Sequence, residues 1–182
     1  VYPDFSKYLI KKSQWIWDTR VPSFIPKIGS AKAADLKNKR VLMIGTDMAA
    51  GKMTVGLELF SYLKGKQINS GFVATGQVGI TISGNGIPLD AYKLDHACGA
   101  VETAVLEQKE KEIIIIEGQG SILHPGSSAT LPLMRGSCPT HMILCHIARN
   151  DSLRSIKEIK IPDLQKFIKL NEDLASVIGT YS

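Results

Sequence analysis

Cysteine is scarce in this chain: Cys98, Cys138 and Cys145 are an odd set with no CxxC spacing. That argues against a disulfide framework and leads us to expect reduced thiols in a cytoplasmic setting. Long apolar runs are also missing. None approaches the roughly 18 residues of a membrane-spanning helix, so no membrane partner is expected. Charge and polarity interrupt Val1–Ile10, which does not read as a secretory signal. No internal repeat or low-complexity tract is present. A basic surface on the folded body is lacking too. Of the 22 Lys and Arg, nine fall in residues 1–40 against three acids, while the rest of the chain carries thirteen against fourteen. A nucleic-acid binder places its cations on a folded face, so no nucleic acid is expected as partner.

The 182 residues, 44% hydrophobic and 21% charged, suit one globular domain plus an extension. Residues 1–38 read as a basic arm with three prolines and two tryptophans, packing on the body or on a neighbouring domain. The first residue is Val rather than Met, and no strand follows the last helix. Both features lead us to expect a fragment: an arm from a preceding domain, then a domain over 39–182 shortened at its C-terminal end.

From Lys39 the pattern turns regular. Val41–Ile44, Gly71–Ala74, Ile113–Ile116 and Met142–Cys145 read as buried strands. Lys52–Lys64, about Asp90 to Lys109, and Leu164–Val177 carry helical spacing. Residues 75–88 read as a glycine-rich loop. Alternating strand and helix predicts an α/β fold, a parallel sheet flanked by helices on both faces in three layers.

The strongest chemical signal is Gly45-Thr46-Asp47-Met48-Ala49-Ala50-Gly51-Lys52-Met53-Thr54, set between a buried strand and a helix. Glycines let successive N–H groups curl towards one anion, the helix start adds partial positive charge, and lysine adds a full one. A phosphate loop normally has four residues between its glycines and Ser or Thr after the lysine. Here five intervene, Met53 follows Lys52, and the hydroxyl comes later at Thr54. This supports phosphate more directly than a nucleoside triphosphate.

Glu117, after Ile113–Ile116, stands at the sheet edge where open α/β folds bind ligands. It is a candidate general base, or a Mg²⁺ ligand together with Thr54 if the ligand is Mg-ATP. His124, in the following loop, is the second candidate base. Thr75, Gly76, Gln77 and Gln119 are candidate substrate contacts, and Arg149 a candidate cation for an acidic substrate. Asp90 and Asp95 read as helix-start acids without a chemical role. The spacing of His141 and His146 on a strand sends their rings to opposite faces, and His96 and Cys98 diverge on a helix, so no structural zinc is expected.

The stretches GTDMAAGKMT, GFVATGQVGI, GIPLDAYKLDHACGAVE, IIIIEGQGSILHPG and HMILCH together resemble the phosphate-loop domain of a bacterial and archaeal family. That family was long of unknown function, and its members are now assigned as D-glutamate N-acetyltransferases. The resemblance implies acetyl-coenzyme A as acyl donor and an acidic amino acid, D-glutamate, as acceptor. A more distant likeness is to dethiobiotin synthetase, a P-loop NTPase-like fold. It implies that Lys52 binds phosphates and that a loop hydroxyl and Glu117 hold Mg²⁺, although Met53 occupies that hydroxyl's place. Three functions stay open at this point: the acetyltransferase, a Mg-ATP-dependent ligase or kinase, and a non-enzymatic nucleotide-binding module. A homo-oligomer is also left open.

Overall fold

The computed structural model describes residues 6–8 and 11–177; the remaining ends of the expected arm and domain lie outside the described residues. Four apolar runs form four strands: β1 (Lys39–Gly45), β2 (Ser70–Val73), β3 (Ile113–Ile116) and β4 (His141–Cys145). They make one parallel sheet in the order β2-β3-β1-β4. Successive side chains on a strand point to opposite faces, and two cores result. Leu42, Ile44, Val73, Ile114 and Ile116 belong to one, while Met43, Phe72 and Ile115 belong to the other. Strands buried on both faces need helices on both.

The helices supply that cover. α1 (Lys52–Gly65) and the short α2 (Gln77–Ser83) bring Leu63 and Ile80 to the second core. α3 (Leu94–Leu106) and α4 (Thr130–Ser137) close the first, and α5 (Leu164–Ser176) packs on α4 and brings Leu174 to the same core. Asp163 caps α5 by accepting from the N–H groups of Gln165 and Lys166. The fold is the expected three-layer α/β sandwich. No helix among the described residues is long and apolar enough to cross a membrane.

Three local expectations change. Residues 75–88 contain α2 rather than loop alone. A 3₁₀ turn at Leu89–Ala91 intervenes before α3, which starts at Leu94 instead of Asp90. α4 has no counterpart in the sequence reading. It tolerates Pro132 because first-turn N–H groups have no intrahelical acceptor to lose.

The arm is laid along α3. The Glu102 carboxylate accepts hydrogen bonds from the N–H groups of Ser30 and Lys32 and from the Ser30 hydroxyl. His96 donates through Nδ1 to the Pro26 carbonyl at 2.9 Å. Phe24 meets Tyr92 with ring centroids 5.8 Å apart, and Ala33 is inside the first core. The tryptophans do not share this burial: Trp15 is 76% exposed and Trp17 45%. Arg40, counted among the arm's cations in the sequence, is 1% exposed within β1. Its guanidinium donates to the carbonyls of Ser137 and Cys138 at the end of α4, and to those of Leu36 and Asn38.

Candidate functional site

β1 ends at Gly45, the chain turns through 46–51, and α1 begins at Lys52. Gly51 takes φ 93°, a left-handed conformation that a side chain would strain. The Lys52 ammonium folds back over the loop, donating to the carbonyls of Asp47 at 2.8 Å and Met48 at 3.0 Å. It is only 4% exposed, and burial lowers its affinity for the proton against opposition from Cys145 and Asp47. No carboxylate forms an ion pair with it among the described residues. Two N–H bonds to carbonyls leave an ammonium with donor capacity for an anion.

The rest of the loop is braced from the segment after β4. Asp47 accepts from its neighbour's N–H at Met48 and from the N–H of Arg154, both at 2.7 Å. The Thr46 hydroxyl meets His146 Nδ1 at 3.0 Å. Asp47 and Thr46 therefore shape the loop, with their side chains engaged in protein contacts. Ala50 is buried. Met53 and the exposed Thr54, in the first turn of α1, line a cavity of about 430 Å³ together with Gly51, Lys52 and residues 117–120.

Glu117 follows β3 and is buried against the loop after β2. One carboxylate oxygen accepts from the N–H of Thr75 at 2.8 Å and of Gly76 at 3.2 Å. The Thr75 hydroxyl returns a bond to the Glu117 carbonyl. Burial pushes the Glu117 carboxyl up, and the two N–H groups pull it part of the way back. A carboxyl raised in this way, beside a cavity, holds a proton more readily than an exposed one and is a candidate for proton transfer. Gly79 in α2 is where a Cβ would strike this carboxylate. Gln119 donates from its amide to the Thr75 carbonyl and accepts through its own carbonyl from Thr130.

A second cavity, about 280 Å³, opens beside the first. Met48, Gln119 and Gly120 line both, so the two are neighbours with a shared wall at the C-terminal edge of the sheet. Its far wall comes from the Leu89–Ala91 turn, the start of α3 and the segment 126–132.

The structure therefore brings together Lys52, Met53, Thr54, Glu117 and Gln119 in the cleft lining, with Thr75 and Gly76 behind Glu117. Gln77 opens α2, its amide 3.5 Å from Asp90. Two candidates stand apart. The His124 ring meets the Ser155 hydroxyl through Nε2 and accepts from the Gly126 N–H through Nδ1. Arg149 is exposed in the loop after β4 at φ 70°. Neither lines the two cavities. Among the described residues, no three His, Cys, Asp or Glu side chains are grouped for a metal ion. Sequence reasoning missed the second cavity: Asp90, read as a helix-start acid, lies in its wall with Ser127 and Ser128. The Ser-Ser pair shortly before an apolar run was the available helix-start signal.

The family model described as "Domain of unknown function (DUF1611_C) P-loop domain" matches residues 27–180. A protein named D-glutamate N-acetyltransferase from a Pseudoalteromonas species is 37% identical over 155 residues, which are 85% of this chain and 46% of that protein. One of the same name from Tritonibacter scottomollicae is 34% identical over 165 residues, 90% of this chain and 49% of that protein. The chain spans about half the length of these curated relatives. The crystal structure of a DUF1611 family protein from Anabaena variabilis superposes with a TM-score of 0.91 at 44% identity, covering 97% of this chain and 51% of that one.

Proposed function

This chain belongs to the DUF1611 P-loop domain family, and from that premise we propose that it holds acetyl-coenzyme A by its phosphates for N-acetylation of an acidic amino acid, D-glutamate on the pattern of the named relatives. The observation that carries this reading is the cavity at the phosphate loop, lined by Lys52 and the buried Glu117, with a second cavity adjoining it through Met48, Gln119 and Gly120. Group transfer needs two substrates to meet, and two neighbouring cavities that share Met48, Gln119 and Gly120 in their walls suit that need.

The residues fit a coenzyme A phosphate. Lys52 offers a buried ammonium with no carboxylate partner among the described residues, next to the start of α1 where N–H groups lack intrahelical acceptors. Phosphate bound there loses no phosphoryl group, so a hydroxyl directly after the lysine is dispensable. The thioester would supply the acetyl group: an N–C bond forms, the C–S bond breaks, and coenzyme A leaves as a thiolate that takes up the second proton lost by the amine to become the thiol. The chain's own task is to take a proton from the acceptor's ammonium, and the raised Glu117 carboxyl is our candidate base. Gln119, held between Thr75 and Thr130, positions the junction of the two cavities.

A second reading, a Mg-ATP-dependent ligase or kinase, is favoured by one feature: Thr54 lines the same cavity as Glu117. Calorimetric titration with acetyl-coenzyme A and with ATP, each with Mg²⁺ and with a chelator, separates the two. Metal-indifferent binding of the thioester is expected. Binding of ATP only with Mg²⁺, and none of the thioester, overturns the acetyltransferase reading.

A further inference from the structure

The phosphate loop is not strongly cationic by itself. Residues 45–54 hold Lys52 and Asp47, one charge of each sign, and Glu117 adds a carboxyl to the wall of the same cavity. A phosphate seated at Lys52 therefore meets little net positive charge from these side chains, and a second cation nearby would offset its own charge. The segment after β4 carries one. Residues 151–161 form a short antiparallel turn. The Leu153 N–H donates to the Ile159 carbonyl at 2.9 Å, the Ile161 N–H donates to the Asp151 carbonyl at 2.8 Å, and Ser152 is bridged to Lys160. Leu153 is fully buried and anchors the backbone of the next residue, Arg154.

Arg154 is tied to the loop through Asp47. Its N–H donates to the Asp47 carboxylate at 2.7 Å, and the Asp47 carbonyl accepts from the Lys52 ammonium at 2.8 Å. Those links and covalent geometry put the Arg154 Cα within about 12 Å of the Lys52 ammonium. An extended arginine carries its guanidinium about 7 Å from Cα, so the two cations can serve one ligand with adjacent phosphates. The Ser155 hydroxyl holds the other flank of the turn, meeting His124 Nε2 at 2.9 Å. Arg154 is exposed, and its guanidinium has no ion pair or hydrogen bond among the described residues, whereas Lys160 of the same turn pairs with Asp151. It stands outside the lining of the Lys52 cavity, where a ligand longer than one phosphate would project.

We propose that Arg154 is a second phosphate-binding cation, which takes the outer phosphate of a ligand whose inner phosphate lies at Lys52. The ligand class is a compound with at least two linked phosphates. The inference rests on the proposed phosphate contact at Lys52 and adds a specificity residue to it. Asp47 and Ser155 act as positioning residues that hold the turn beside the loop.

The test is amide-resolved NMR of the ¹⁵N-labelled chain, titrated with inorganic pyrophosphate, orthophosphate and acetyl-coenzyme A. Pyrophosphate should shift the amides of residues 45–54 and bind Arg154→Gln roughly tenfold more weakly, as expected when a charge-assisted bond to phosphate is lost. Orthophosphate should bind both proteins alike. Lys157→Gln removes another exposed cation of the same turn and should leave pyrophosphate affinity unchanged. Equal pyrophosphate affinity in wild type and Arg154→Gln, an equal loss for orthophosphate, or an equal loss in Lys157→Gln overturns the proposal. So does a wild type that does not respond to pyrophosphate. If pyrophosphate behaves as expected and acetyl-coenzyme A does not bind, the acyl-donor reading fails and the second cation stands. If acetyl-coenzyme A binds wild type and Arg154→Gln alike, that reading stands and the second cation falls.

Discussion

The two ends of β1 each hold a buried cation, and the contrast between them separates structure from function. Arg40, near the start of the strand, and Lys52, just past its end, are 1% and 4% exposed, and burial lowers the proton affinity of both. Neither has a carboxylate partner among the described residues. Arg40 is nonetheless satisfied by main-chain carbonyls from two places: Leu36 and Asn38 of the arm, and the end of α4. It sits where a helix exposes carbonyls, so its charge agrees with the dipole. Lys52 sits at a helix start, where its charge opposes the dipole, and has two carbonyls for three N–H groups. A buried cation that is saturated and dipole-matched holds a fold together. One that is undersaturated and dipole-opposed keeps donor capacity for an anion, which is the basis of the proposed phosphate contact.

That contrast can be broken by substitution. The largest effect belongs to the ligand edge: under the proposed acetyltransferase reading, Glu117→Gln in the full-length protein should slow turnover by about 10²–10⁴ while the protein stays folded, because the candidate proton acceptor is removed without loss of volume. Wild-type turnover in acetylation assays would remove Glu117 from the role of base. Next, Arg40→Ala should lower stability by about 3 kcal/mol or more in urea unfolding, since it leaves several buried carbonyls unpaired. Lys52→Ala should do the reverse. Under the proposed reading it should weaken acetyl-coenzyme A binding by about 2 kcal/mol in calorimetry, with less effect on the unfolding midpoint than Arg40→Ala. If Lys52→Ala unfolds the chain and Arg40→Ala does not, the assignment of the two cations is inverted.

The same contrast shows what the sequence made legible. Local patterns were readable: Ile113–Ile116 is apolar on both faces and became a central strand, and the Gly45–Thr54 run became a phosphate loop between strand and helix. Features set by distant residues were not. Arg40 counted as one more arm cation because its acceptors at Ser137 and Cys138 are nearly a hundred positions away. Asp47 is fixed by the N–H of Arg154, which no spacing announces. α2 was hidden because Gly79 resembles a breaker, whereas the glycine is there to let the helix pass the Glu117 carboxylate. Asp90 read as a helix-start acid because the cavity it lines is built with residues 119–132, distant in sequence. His124 sits in a promising loop, yet its ring is turned to Ser155 and Gly126.

The smallest effect sharpens the comparison further, because pH acts on one end of the sheet and not the other. The Glu117 carboxyl is raised above its ordinary value of 4.5, chiefly by burial. The folded chain thus keeps this proton to higher pH than the unfolded chain does. Unfolding releases a proton in the window that begins near 4.5 and closes at the raised folded value. In that window this group makes stability fall as pH rises, and above it a constant penalty remains. Glu117→Gln has no such proton to lose, so the wild type should lose stability relative to this variant as pH climbs out of the acid range. Urea unfolding of both proteins at several pH values measures the difference. The deficit of Arg40→Ala should stay level over the same range, since a guanidinium keeps its charge throughout. A wild-type curve that rises with pH relative to Glu117→Gln would mean that the N–H groups of Thr75 and Gly76 outweigh burial. Glu117 would then be a fixed anion at neutral pH and a weaker base, and the chemistry would have to find its proton acceptor elsewhere along the cleft.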